Sequence, residues 1–213
     1  MLSLLPIAPE TLSVFLAASF ALAFAPGPDN IFVLTQSAVQ GRVAGLLVTL
    51  GLCTGLLVHT AAVALGVATI FAASALAFTA LKVLGAAYLL YLAWQAFRAA
   101  KTPLPEGEGR GRSRGRLYAR GVIMNITNPK VAIFFLAFLP QFAEPGQGAL
   151  TLQILVLGAI FILVTLAVFG SIAWFSGFLG ERLRASPRAQ TILHRVAGLV
   201  FVGLALRLAV AER

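Results

Sequence analysis

The chain has 213 residues, 60% of them hydrophobic and only 11% charged, with a mean hydropathy of +0.95, against about 45–50% and about 25% in soluble domains. A domain of this size cannot bury so large an apolar share, which excludes a soluble globule, and the low charge excludes a disordered chain. The net charge of +9 would suggest nucleic acid, but seven of the 16 basic residues lie from Arg98 to Arg120 and four from Arg182 to Arg195, in gaps between apolar runs. That is the distribution of cytoplasmic loops beside a membrane, so the lipid bilayer and no nucleic acid is the expected partner.

A helix rising 1.5 Å per residue needs about 20 mostly apolar residues to cross a bilayer core of about 30 Å. Met1 to Pro9 has no basic residue and is interrupted by Pro6 and Pro9, so no cleaved signal peptide is expected. The first span runs from Thr11 to Gln40 and is broken near Pro26 and Pro28. Proline lacks an N–H and clashes with the preceding turn, so Pro26, Gly27 and Pro28 cannot continue a helix. Backbone groups freed there must face protein or a cavity, unless the segment is a loop at the inner interface. Asp29 and Asn30 follow at once, and a carboxylate inside the bilayer costs about 2.5–3.5 kcal/mol unless it is paired, hydrated or protonated.

The second span, Val43 to Phe71, carries Gly51, Gly55, Ala62 and Gly66 on one stripe with His59. Small residues at this spacing are compatible with close contact inside one bundle or with a homo-oligomer. His59 reads as a hydrogen-bonded structural residue, with a proton relay as the alternative. The third span, Thr79 to Arg98, has Lys82 near its outer end, where it can snorkel to the interface, and Tyr88 and Trp94 suit interfacial or lining positions. The Gly/Arg-rich stretch Pro103 to Arg116 reads as a flexible cytoplasmic linker, within residues 99–118, between two halves (1–98 and 119–213) of a single membrane domain.

The fourth span, Arg120 to Phe142, contains Met124-Asn125-Ile126-Thr127-Asn128-Pro129-Lys130. Pro129 removes a helical hydrogen bond and disfavours helical geometry at Asn128, while Asn125 and Asn128 can satisfy the freed groups or a ligand. Lys130 precedes the apolar run VAIFFLAFLP and is expected to point inward, with Asp29 as its ionic partner. Gln141 is a further lining candidate. The fifth and sixth spans run from Leu150 to Phe178 and from Leu193 to Val210. Cys53 is read as a small buried residue, and the sixteen Phe as mostly lipid-facing bulk.

Period-2 alternation is absent and Ala and Leu dominate, so the fold class is an all-α polytopic membrane protein with six transmembrane helices. A cytoplasmic Arg-rich linker puts the turn at Arg42 and the gap from Glu181 to Arg195 on the same side, and both termini outside, periplasmic in a bacterial inner membrane. Gly27-Pro28-Asp29 is matched by Asn128-Pro129-Lys130, and Lys82-Val83-Leu84-Gly85 by Arg195-Val196-Ala197-Gly198. These matches suggest a three-plus-three inverted repeat with a broken first helix in each half, the plan in which transporters bind solutes at mid-membrane. HExxH, CxxC, a Walker loop, GxGxxG and a nucleophile elbow are all absent from the sequence, so no metal, no cofactor and no enzymatic chemistry is expected.

The stretches APGPDN, GRVAGLLVTLGLCTGLLVH, KVLGAAYLLYLAW and RGVIMNITNPKVAIFFLAFLPQF resemble the lysine-exporter (LysE) translocator superfamily, which includes the homoserine/threonine-resistance type exporters. The resemblance spans nearly the whole chain; Tyr118, where a Phe is usual, and Ala93, where a Gly is common, are its small departures. It implies a secondary transporter of the bacterial inner membrane that exports amino acids or close derivatives by proton antiport. On this resemblance Asp29, Asn30, Asn125, Asn128 and Lys130 line a central site, where a carboxylate and a lysine bracket a small zwitterionic solute. Two rival functions are a membrane-embedded enzyme, which would need paired carboxylates or a phosphate-binding cluster, and a structural or regulatory subunit, in which Asp29 and Lys130 serve assembly only.

Overall fold

In the computed structural model, residues 7–25, 27–73, 75–99, 113–144, 148–176 and 187–210 are described, and every regular element among them is a helix. Helix α1 (Pro9–Phe24) and α2 (Pro28–Gln40) are the two parts of the broken first segment, meeting at 57°. Then come α3 (Arg42–Ala73), α4 (Ala75–Ala99) and α5 (Arg114–Ile126). Next is α6 (Pro129–Ile133), which runs on through a π-helical turn (Phe134–Phe138) and a 3-10 turn (Leu139–Phe142), followed by α7 (Leu150–Trp174) and α8 (Pro187–Val210). Pro26, residues 100–112, residues 181–186 of the gap from Glu181 to Arg195 and the side chain of Lys82 lie outside the described residues.

Proline sets several starts: Pro9, Pro28 and Pro129 stand in the first helical turn, where the missing N–H is not needed and the fixed φ suits a helix. The turn from α2 to α3 passes through Gly41 at φ 85°, a left-handed conformation open to glycine. Arg42–Gly66 and Leu150–Trp174 are each long and apolar enough to cross a membrane alone. The bent pairs α1–α2 and α5 with Pro129–Phe142, the latter bent by 49°, are so when each pair is taken as one span.

The molecule is apolar outside and partly polar inside, the reverse of a soluble protein. Leu65, Leu84, Leu163 and Leu199 are among its most exposed residues, while Ser19, Asp29, Gln36, Thr49, Asn125, Lys130, Gln153 and Thr165 are buried. Helix α3 lies at the centre, against α2, α5 and α7, and α4 lies along α8. The Arg42 guanidinium sits 4.3 Å from the Trp174 ring, so α3 begins where α7 ends and the two run antiparallel. At the opposite end Thr11 donates to Glu144 (2.8 Å), whose backbone exchanges two hydrogen bonds with the Gln153 side chain.

One expectation is corrected by this arrangement, and one open reading is narrowed. Among the described residues nine Phe are buried rather than lipid-facing. Phe134, Phe135, Phe138 and Phe142 turn inward and stack with Phe15 and Phe161, because the π-helical and 3-10 turns rotate the rings of FFLAFLPQF onto the bundle side. The small-residue stripe of α3, which suited either one bundle or an oligomer, is occupied within the chain where it can be followed. A Cβ at Gly51 would run into the Tyr118 carbonyl, and one at Gly55 would meet Asn125, so α5 covers both positions. Among the described residues nothing lies within 4 Å of where a Gly66 Cβ would be. Cys53 is a buried free thiol, as expected.

Candidate functional site

The two breaks face each other inside the bundle, and each can be followed as hydrogen-bond arithmetic. In a continuous helix the Leu22 carbonyl would accept from residue 26, the Ala23 carbonyl from residue 27 and the Asn125 carbonyl from residue 129. Residues 26 and 129 are prolines, which have no N–H to offer. Buried carbonyls left in this way need other partners.

At the first break these partners are side chains. Lys130 Nζ donates to the Leu22 carbonyl (3.4 Å) and the Ala25 carbonyl (3.2 Å), and Asn30 Nδ2 donates to the Ala23 carbonyl (2.7 Å). Lys130 therefore caps the C-terminal end of α1, where the helix dipole favours a cation. Gly27 makes room for it, since a Cβ there would come to 3.1 Å from Nζ. At the second break His59 Nε2 lies 3.2 Å from the Asn125 carbonyl, which also accepts from the Asn128 N–H (3.1 Å). A carbonyl only accepts, so Nε2 carries the proton in this contact. His59 also stacks beside Phe135.

Asn128 links the breaks. Its Oδ1 accepts from the Lys130 backbone N–H (3.0 Å) as the N-cap of α6, and its Nδ2 donates to Asp29 Oδ2 (2.7 Å). Asp29 stands in the first turn of α2, where the positive end of the helix favours a carboxylate. The expected Asp29–Lys130 ion pair is not formed. Nζ is turned to the α1 carbonyls, and Asp29 Oδ1 is buried with no hydrogen-bond partner among the described residues. Proline 26 is the cause, because the carbonyl that it frees lies within reach of Nζ and competes for it.

Between the breaks is a cavity of about 20 Å³, bounded by Asp29, Asn125, Lys130, Thr165 and apolar side chains that include Leu22, Leu52, Leu56 and Phe161. That volume holds one water-sized group. Of the residues singled out in the sequence, Asp29, Asn30, Asn125, Asn128 and Lys130 come together here with Gly27 and Pro129, and His59 supports Asn125 from behind. Gln141 does not join them; its Nε2 donates to the Ala137 carbonyl of its own segment. Trp94 is exposed and stacks under Arg98 at 4.7 Å, as suits an interface. Thr165 was missed, since one hydroxyl in the run FILVTLAVF carries no signal that separates it from a helix-bonded threonine.

The family model for LysE type translocators matches residues 20–212. The homoserine/homoserine lactone efflux protein of Salmonella typhimurium is 36% identical over 201 residues, covering 93% of this chain and 95% of the relative. Its namesake in Salmonella typhi is equally similar, and an uncharacterized membrane protein of Vibrio cholerae is 31% identical over 198 residues, covering 93% and 96%. No solved structure matches the chain. The family and its named relatives are transporters, not enzymes. The chain belongs to the LysE type translocator family.

Proposed function

We propose that this protein is a secondary exporter of amino acids or close derivatives from the cytoplasm, with the solute bound between two inverted halves and the flux driven by inward movement of protons. The observation that carries the reading is Asp29: a buried carboxylate with one oxygen held by Asn128 and the other without a partner, at the wall of a cavity between two broken helices. An antiporter needs a group that holds either the proton or the solute, and one free carboxylate oxygen at mid-membrane can serve both in turn. In this reading Asp29 and Asn125 meet the solute, while Asn30, Asn128 and Lys130 hold the broken ends that shape the site. The efflux of homoserine and homoserine lactone named for the Salmonella relatives supports a solute of amino-acid size and chemistry.

The chain has six spans in this reading, the two bent pairs, α3, α4, α7 and α8. Helices α4 and α8, of 25 and 24 residues, exceed the length of about 20 that a span needs. The halves 1–98 and 119–213 are related by inversion. In support, α1–α2 answers to α5–α6, α3 lies against its counterpart α7, and α4 against its counterpart α8. The location is the bacterial inner membrane with both termini periplasmic, since Arg42 and the start of α5 then fall on the cytoplasmic side.

The test is efflux of labelled amino acids from proteoliposomes containing the purified chain, with and without an imposed pH gradient. Saturable flux of at least one amino acid, accelerated by the gradient, is expected. Folded protein that moves no member of the panel would contradict the reading.

A further inference from the structure

We propose that the cavity between the breaks is an ammonium site built by Asp29, Asn125 and Thr165, and that the solute is selected by its primary amine and not by its carboxylate. The proposal rests on the export reading above and names the part of the solute that the site recognises. Asp29 Oδ1, Asn125 Oδ1 and Thr165 Oγ1 are all buried without a hydrogen-bond partner. The three residues are 4%, 3% and 4% exposed and line the same cavity. Each of the three atoms is an acceptor, and only the hydroxyl can also donate, so the occupant they lack is a donor. A protonated primary amine brings three N–H groups and a positive charge to set beside Asp29; a carboxylate brings neither.

Thr165 differs from four other buried hydroxyls in the helices of this bundle. Ser19, Ser37, Thr49 and Thr60 each return their proton to the carbonyl four residues earlier, at 2.6–2.9 Å. Thr165 does not, although the Phe161 carbonyl stands at that position in α7. A hydroxyl kept out of its own helix and left in a cavity wall is free for a ligand. Among the residues lining the cavity, the one cation is Lys130, and its ammonium is already committed to the Leu22 and Ala25 carbonyls. A solute carboxylate therefore finds no uncommitted positive group there. The space of about 20 Å³ fits an ammonium head, and the rest of a solute enters only when the halves part.

The experiment is calorimetric titration of the purified full chain in detergent with L-homoserine, L-homoserine lactone and N-acetyl-L-homoserine, run beside efflux of the same compounds. At about pH 6, below the ordinary α-amino range of about 7.7–8.0, homoserine and its lactone should bind with similar affinity, and the N-acetyl compound should show no saturable binding. Thr165→Val should weaken both amines by about ten-fold or more, and Thr165→Ser should restore them. The same Thr165→Val change should raise the melting temperature of the unliganded protein, because it replaces an unpartnered buried hydroxyl with a methyl group. A purely structural threonine would instead lower it. Binding of N-acetyl-homoserine as tight as that of homoserine would overturn the proposal. So would unchanged amine affinity in Thr165→Val, no binding of any amine, or saturable stabilisation by sodium over choline in the absence of amine. Amine binding without efflux would support the ammonium site and overturn the export reading; efflux that is indifferent to N-acetylation would do the reverse.

Discussion

The two helix breaks solve the same problem with different chemistry. At the first, carbonyls freed by Pro26 and Gly27 are taken by Lys130 and Asn30; at the second, the carbonyl freed by Pro129 is shared between His59 and the backbone of Asn128. A lysine closes one break and an imidazole the other. At each break one side chain comes from the opposite half of the chain, Lys130 from the second and His59 from the first, while Asn30 belongs to the same half as the break it serves. Each break thus depends in part on a residue from the other half of the sequence, and Asn128 adds a third crossing bond to Asp29. In the export reading proposed above, separation of the halves would loosen both breaks together and so tie the shape of the site to the conformation of the bundle.

This comparison can be broken most severely at Lys130. Lys130→Ala leaves two buried carbonyls of α1 without a donor, and the apparent stability in a detergent melt should fall by on the order of 3 kcal/mol. If Lys130 served only the solute, the melting temperature would barely change. Next comes Asp29→Asn. The amide oxygen can still accept from Asn128, so the fold should persist while gradient-driven export falls by at least about ten-fold. Retained proton-dependent efflux would remove Asp29 from the coupling role.

Gly51→Ala sharpens the comparison from the side of α5. Its Cβ would meet the Tyr118 carbonyl and the Gly121 backbone, neither of which can rotate away, so a loss of about 1–3 kcal/mol is expected, whereas Gly66→Ala should cost nothing in side-chain clashes. Equal losses at both positions would contradict the placement of α5 on the Gly51 face. The smallest effect belongs to His59→Leu. The Asn125 carbonyl keeps its bond from Asn128, so stability should drop by only about 1 kcal/mol and export should remain. Abolished export with intact folding would make His59 a proton relay instead.

Much of this was legible in the sequence, and the rest was hidden for identifiable reasons. The bilayer class, the helical runs and both breaks follow from apolar length and from proline, because each acts through the local backbone. The meeting of Asp29, Asn128 and Lys130 was legible in outline, since polar residues beside broken helices must turn inward. Their pairing was not, because two opposite charges in an apolar chain suggest each other while the carbonyl freed by Pro26 is not a letter in the sequence. Counting the acceptors that each proline orphans, four residues back, would have pointed to Leu22 and Asn125. Thr165 stayed hidden because a threonine in a helix normally bonds its own backbone, and only the three-dimensional arrangement reveals that this one does not. The inward turn of the Phe run depended on a π-helical turn that shifts the helical register, which hydropathy alone does not encode.

The central claim is that a solute and a proton use the same free oxygen of Asp29 at the wall of the cavity between the breaks. It is tested most directly by measuring homoserine efflux from proteoliposomes together with the pH change inside them, for the native chain and for Asp29→Asn. The account predicts that homoserine efflux acidifies the lumen in the native protein, and that both signals disappear together in the variant although it remains folded. Homoserine efflux at the native rate from Asp29→Asn, with the pH change intact, would contradict it.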